Sequence, residues 1–216
     1  MAKTAKRIID GIMIEVMSYG QEYYDKLPDS MYFLDKLNTW RSTVIRDMGD
    51  VKMYPSAFYQ THTQLIVEKA SKSTVVNEVP VEVAENVYYT NIPELIGYSW
   101  KEILFFGTDK NFSRRSMTSF MNNEGNKYTK HLPCYTIAES GKAYIRNLPT
   151  TATRFITMKA IFSHPHLLPN YSYESTAYPI SEMALPKVEY LLKKEIFESL
   201  GISMKRQENE KEKEKE

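Results

Sequence analysis

The sequence predicts an α+β fold, with an N-terminal helical hairpin and a C-terminal helix packed around a central antiparallel β-block. Three observations lead there. Apolar residues recur at helical spacing over about residues 4–20, 29–48 and 186–200. The stretch between them, about 60–162, is rich in β-formers and punctuated by turn residues. The last twelve residues carry five basic and five acidic side chains and no apolar anchor.

The first helix is read from Ile8, Ile9, Ile12, Met13, Val16 and Met17, with Thr4 as its N-cap and Gly20 as its end. The second opens at Asp29 or Ser30. Its apolar face runs through Phe33, Leu34, Leu37, Trp40, Val44 and Ile45 to Gly49, with Asp35, Lys36, Asn38, Arg41, Arg46 and Asp47 on other faces. The two can pair as a hairpin, and their broad apolar faces predict that at least one also covers the β-block.

In the middle, Gln64–Glu68, Val87–Thr90 and the apolar run Trp100–Phe106 read as strands. Ser113–Phe120 reads as a short helix capped by Ser113. Tyr135–Ala138 and Ala143–Asn147 form a hairpin around Glu139-Ser140-Gly141-Lys142, where Gly141 supplies the positive φ of a tight turn. A two-residue loop there pairs Ile137 with Tyr144 and Tyr135 with Arg146. Arg154–Phe162 alternates, placing Ile156, Met158, Ala160 and Phe162 on one face.

Pro165, Pro169 and Pro179 mark an irregular connection, and Pro186 suits the first turn of the last helix. Val188, Leu191, Leu192, Ile196 and Leu200 form that helix's apolar stripe, and Gly201 is its C′ residue. Phe197 and Ile202 lie off the stripe. A helix apolar on more than one side has a second surface to cover, so Phe197 and Ile202, with Lys205 and Arg206 beyond them, are the candidate partner interface.

At 216 residues and 42% hydrophobic content, one sizeable core is expected, giving a single domain over 1–204 and a disordered charged tail over 205–216. A formal charge of +1 disfavours nucleic acid or an anionic membrane as the main partner. Cys134 is the sole cysteine, which excludes an internal disulfide and a cysteine-rich zinc site and points to a reducing compartment. Met1–Arg7 is basic, but Asp10 and Glu15 break the apolar run after it, so neither a signal peptide nor a membrane span is read there.

The motifs of catalysis are missing: no Walker loop, no GxGxxG after a strand, no GxSxG elbow. His164-Pro165-His166 brings two imidazoles close, but without a third ligand or a nearby carboxylate in sequence it reads as a loop rather than a metal site. His62 and His131 stand alone, and Cys134 reads as a buried thiol rather than a nucleophile. Arg114 and Arg115, with Phe112 and Phe120, have the residue types that grip a phosphate backbone and stack on bases. The near-neutral charge favours a solvated polar loop instead. No catalytic, cofactor-binding or metal-ligating residue is assigned.

The stretch Met31–Gly49, with Leu37-Asn38-Thr39-Trp40-Arg41 and Val44-Ile45-Arg46-Asp47, resembles the opening helix of tailed-bacteriophage head–tail connector proteins. The likeness continues through Ile92-Pro93, the Trp100–Phe106 strand, Tyr144-Ile145-Arg146-Asn147-Leu148-Pro149 and Ala160-Ile161-Phe162-Ser163-His164-Pro165, where His164 stands in place of an acid. Tyr178-Pro179-Ile180 before a last helix fits the same plan. The chain is similar over about residues 5–200 to neck-ring or adaptor proteins, of the crAss-like phage ring type or akin to podovirus tail tubular protein A. It lacks the long Asn/Asp-rich C-terminal arm that some adaptors carry.

That resemblance implies a non-enzymatic virion protein, assembled in the bacterial cytoplasm. It implies a neck ring, typically of about twelve copies, between the portal and the adjacent neck or tail tube proteins, with double-stranded DNA passing through its bore. Arg114 and Arg115 are then the candidate channel contacts, and no membrane or cofactor is involved. The alternative is a non-enzymatic protein-interaction module or assembly factor. A phosphate-binding enzyme ranks third.

Overall fold

The structure, a computed structural model, describes residues 3–49, 53–70, 73–76, 79–82, 86–97, 101–122, 128, 130–138, 141–149 and 155–202. It is an α+β fold with helices at both ends and strands between them. The expected tail over 205–216, with Lys205 and Arg206, lies outside the described residues. Chain contacts divide the protein into two compact units. One comprises Met1–Val51, Pro165–Leu167 and Tyr171–Glu216, and the other Lys52–His164 and Leu168–Asn170.

The first unit holds helices α1 (Ala5–Met17), α2 (Gln21–Tyr24), α3 (Ser30–Asp47) and α5 (Leu185–Ser199). Thr4 caps α1 by accepting from Arg7 N, and Asp29 caps α3 by accepting from Tyr32 N at 2.8 Å, as their residue types predict. Ile8, Ile9, Ile12 and Val16 of α1, Phe33, Leu37, Val44 and Ile45 of α3, and Val188, Leu192, Ile196 and Phe197 of α5 are buried. Ion pairs Lys36–Glu195, Lys187–Asp47 and Lys193–Glu15 tie the helices together around this core.

Two of the polar residues on the other faces of α3 are buried, Asn38 and Arg41. Both bind the irregular connection before α5. Asn38 accepts from the Tyr178 hydroxyl at 3.0 Å, and its Nδ2 lies 2.8 Å from His166 Nδ1. Arg41 Nε donates to the Pro179 carbonyl at 2.7 Å, with its guanidinium 6.0 Å from the Tyr178 ring centre. A segment rich in proline leaves backbone carbonyls without helix or sheet partners, and Arg41 of α3 meets one of them. Trp40, expected in the core, is half-buried, and its indole Nε1 reaches Glu195.

The second unit is built from strands. β1 (Gln60–Ile66), β10 (Phe155–Ala160) and β6 (Ile103–Gly107) form an antiparallel sheet in the order β1-β10-β6. A five-stranded sheet has the order β2-β5-β9-β8-β7, from β2 (Glu68–Lys69), β5 (Val87–Asn91), β9 (Lys142–Arg146), β8 (Cys134–Ile137) and β7 (Ser113–Arg114). It is antiparallel except where β7 runs parallel to β8. Among the described residues, β3 (Ser73–Val76) and β4 (Val79–Glu82) form a sheet of two strands.

β10 alternates as expected, burying Ile156, Met158 and Ala160. Phe106 stacks on Tyr135 at 4.3 Å and meets Phe112 edge-on, joining the two larger sheets through aromatic rings. Ser113 and Arg114 are strand, not the expected helix start. The short helix α4 (Met117–Met121) is capped three residues later by Ser116, and its Phe120 packs with Val87, Cys134, Ala138 and Tyr144.

The hairpin of β8 and β9 forms, one residue out of the predicted register. Tyr135 pairs with Ile145 and Ile137 with Ala143. The cause is the loop. Ala138 N donates to Lys142 O at 2.9 Å and Gly141 N to Ala138 O at 3.2 Å, so the pairing closes at Ala138 and Lys142, one residue from the position a two-residue loop would set. Gly141 sits at φ 73°, the left-handed position that closes such a loop. Cys134 and Thr136 consequently face Arg146 and Tyr144 across the pair.

Candidate interaction surfaces

Of the residues proposed for partner contact at the C-terminal helix, Phe197 and Ile202 are core residues. Phe197 is fully buried. The Tyr19 ring meets it edge-on at 5.3 Å, and Lys193 Nζ lies 5.2 Å from its centre. Ile202 is buried because α5 ends in a Schellman turn: Ile202 N donates to Phe197 O at 2.8 Å and Gly201 N to Glu198 O at 3.1 Å. That turn folds the residue after the glycine back over the last helical turn. The second apolar side read on this helix is therefore satisfied within its own unit.

A different helix carries an uncovered apolar side. The outward residues of α1 are Arg7, Asp10, Gly11, Ile14 and Met17. Ile14 is 67% exposed and Met17 46%. A Cβ placed on Gly11 would meet nothing within 4 Å, so no packing in the described chain demands glycine there. The sequence held the signal. Ile14 is an isoleucine outside the Ile8–Ile12–Val16 stripe, and glycine in mid-helix is costly unless something approaches closely.

The strand unit has exposed apolar residues as well. Ile66 and Phe155 stand opposite each other on β1 and β10, exposed by 59% and 44%. On the same side of the sheet, Lys159 lies between Thr61 and Phe105, and Thr157 lies opposite Gly107.

Arg114 and Arg115 are half-buried at the β7 edge of the larger sheet. Burial pushes the Tyr135 hydroxyl up to about 12, with the Arg114 charge opposing it. Burial likewise raises the Cys134 thiol, against the charges of Arg115 and Arg146. Phe112 and Phe120, read as possible base-stacking partners, are both buried. Neither ring is open for a base to stack on.

Cys134 is buried, and a raised thiol is a poor nucleophile. Burial lowers the His62 imidazole. The sequence placed no carboxylate near His164 and His166, but the fold gives each one. His164 Nε2 is 3.6 Å from Glu94 Oε2 in the strand unit, and His166 Nε2 is 3.8 Å from Asp35 Oδ1 in the helical unit. Among the described residues, neither unit by itself gathers three metal-ligand atoms. No described helix is long and apolar enough to cross a membrane.

Known protein-family models give no match to this chain, and comparison with curated proteins finds none that matches it.

Proposed function

We propose that this chain is a structural virion protein that forms a ring in the neck of a tailed bacteriophage, joining the portal to the tail and letting DNA pass. The observation that carries the reading is the second apolar side of α1. Gly11, Ile14 and Met17 present an open, partly apolar stripe that the described residues leave uncovered, as a subunit built for lateral contacts requires. The connector-like order of sequence motifs supplies the context, namely a ring of about twelve copies bound to the portal and the next neck or tail tube protein.

The formal charge of +1 supports the conduit part of the reading, because a bore that held DNA tightly would obstruct its passage. Arg114 and Arg115, half-buried at the sheet edge, are the candidate phosphate contacts along the bore. The chain works by shape and contact, without catalysis.

Negative-stain imaging of the purified protein, with mass spectrometry of virions, tests this. Closed rings and a stoichiometric virion component are the expected result. A chain that stays single at every concentration and is missing from virions would overturn it in favour of an assembly factor.

A further inference from the structure

We propose that the outward side of α1 in one copy packs, in parallel, against the outward side of α5 in the next copy. The inference rests on the self-assembly proposed above and names the surface that meets the α1 stripe. On α5 that surface is a second exposed stripe. Met183, in the turn that leads into the helix, is 94% exposed, and Tyr190 is 56% exposed. Leu185 N donates to Ser181 O at 3.0 Å, so this turn already has helical bonding. Met183 therefore keeps helical spacing with Pro186, Lys187, Tyr190 and Lys194, all of them exposed. Val188, Leu192, Ile196 and Phe197, on the opposite side of α5, are buried.

The two stripes meet only between copies. Within a chain, α1 and α5 already join by their other sides, where Lys193 pairs with Glu15 and the Tyr19 ring meets Phe197. Arg7, Asp10, Gly11, Ile14 and Ser18 are turned away from that packing and exposed.

The spacing of the stripes is the same. Arg7, Asp10, Gly11, Ile14 and Ser18 recur at the intervals of Met183, Pro186, Lys187, Tyr190 and Lys194. Each stripe is about 16 Å long. Laid parallel, the helices bring Ile14 to Tyr190 and set Asp10 on the flank that faces Lys187. Lys187 is held in its own chain by Asp47 at 3.1 Å, both side chains being exposed, and such a pair gives up its partner at little cost. Laid antiparallel, the helices would set Arg7 against Lys194 and Ile14 against Lys187. That alternative joins like charges and covers an apolar residue with a cation, so the parallel arrangement is favoured.

Shape agrees with charge. A Cβ on Gly11 would meet nothing within 4 Å, so the glycine leaves a gap on the other flank of α1. In the parallel arrangement Pro186 and the Tyr190 ring fill it, as a knob enters a hole. A gap on one stripe and a large ring on the other make the contact heterologous, and a heterologous contact that closes on itself gives a ring.

The test uses cysteines in a Cys134→Ala background. A chain carrying both Ile14→Cys and Tyr190→Cys is oxidised and run on a non-reducing gel, where a ladder of covalent multimers is expected. Chains carrying Ile14→Cys mixed with chains carrying Tyr190→Cys should stop at a dimer, and neither alone should cross-link. Asp10→Lys should reduce the yield several-fold, and adding Lys187→Glu should restore it. Dimers of Ile14→Cys alone overturn the proposal, because they place α1 against α1. A cross-link closed within one chain, with none between chains, overturns it as well. So does the lack of any cross-link while the wild type still forms rings, an outcome that leaves the ring reading standing. A wild type that stays a single chain sinks the ring reading and this contact with it. Circular dichroism matching the wild type confirms that each variant is folded.

Discussion

Trp40 Nε1 donates to Glu195 Oε2 at 2.7 Å, joining α3 to α5 at the margin of the helical core. Lys36 binds the other oxygen of the same carboxylate, so Glu195 is a shared anchor for one side of α3. Trp40 contributes both packing and this bond, while its helix neighbours Phe33 and Leu37 contribute packing alone.

Because Trp40 is only half-buried, Trp40→Ala should cost about 2–3 kcal/mol, below the roughly 3–5 typical of a fully buried aromatic. Trp40→Phe keeps most of the packing and removes the donor, at a cost of about 1 kcal/mol. Urea denaturation of both variants checks this. Equal losses would mean that the hydrogen bond, not the ring's burial, dominates.

Three tyrosines predict an alkaline limit to stability. Burial pushes Tyr135 and Tyr171 up to about 12 and raises Tyr178 too, from an ordinary 10.0. A group that holds its proton more tightly when folded contributes stability fully below the unfolded value and loses it as pH rises through the folded one. Stability should therefore be level below about pH 10 and fall between about 10 and 12. Tyrosinate absorbance should show most of the sixteen tyrosines ionising first and the buried ones only as the chain unfolds. Ionisation of every tyrosine with circular dichroism unchanged would contradict this.

Gly201 sits at φ 73°, and a Cβ added there would touch nothing within 4 Å. Its requirement is conformational and not steric, so Gly201→Ala should cost about 1–2 kcal/mol through backbone strain. Gly201→Asn should cost less, since asparagine tolerates the left-handed region. Melting temperatures in the order Gly, Asn, Ala are expected. No difference among the three would show that the turn at Ile202 does not hold α5 closed.

The helices were legible because periodicity and capping are local: Thr4, Asp29 and Gly201 act where their residue types place them. Register across the β8–β9 hairpin was not, because one additional loop residue shifts every pair and the sequence does not show how many residues the turn takes. The burial of Asn38 and Arg41 was not legible, because polarity alone does not show a buried partner. Their partners, Tyr178 and Pro179, lie about 140 residues away, and only the fold brings them together. Phe197 was misread for the opposite reason, since its cover, Tyr19, comes from the far end of the chain.

The outer stripe of α1 gives the most direct test of assembly. Gly11 weakens an exposed helix, and open space beyond it means that Gly11→Ala should stabilise the single chain by about 1 kcal/mol. If a neighbouring copy approaches α1 there, Gly11→Leu should keep the fold and block the contact, because the larger side chain projects into the partner's space. Ile14→Asp, at a position already 67% exposed, should leave the melting temperature nearly unchanged and abolish ring formation by placing a charge in an apolar contact. Light scattering and thermal melts on the three variants separate folding from assembly. If Gly11→Leu and Ile14→Asp both assemble as the wild type does, the outer face of α1 is not where copies meet.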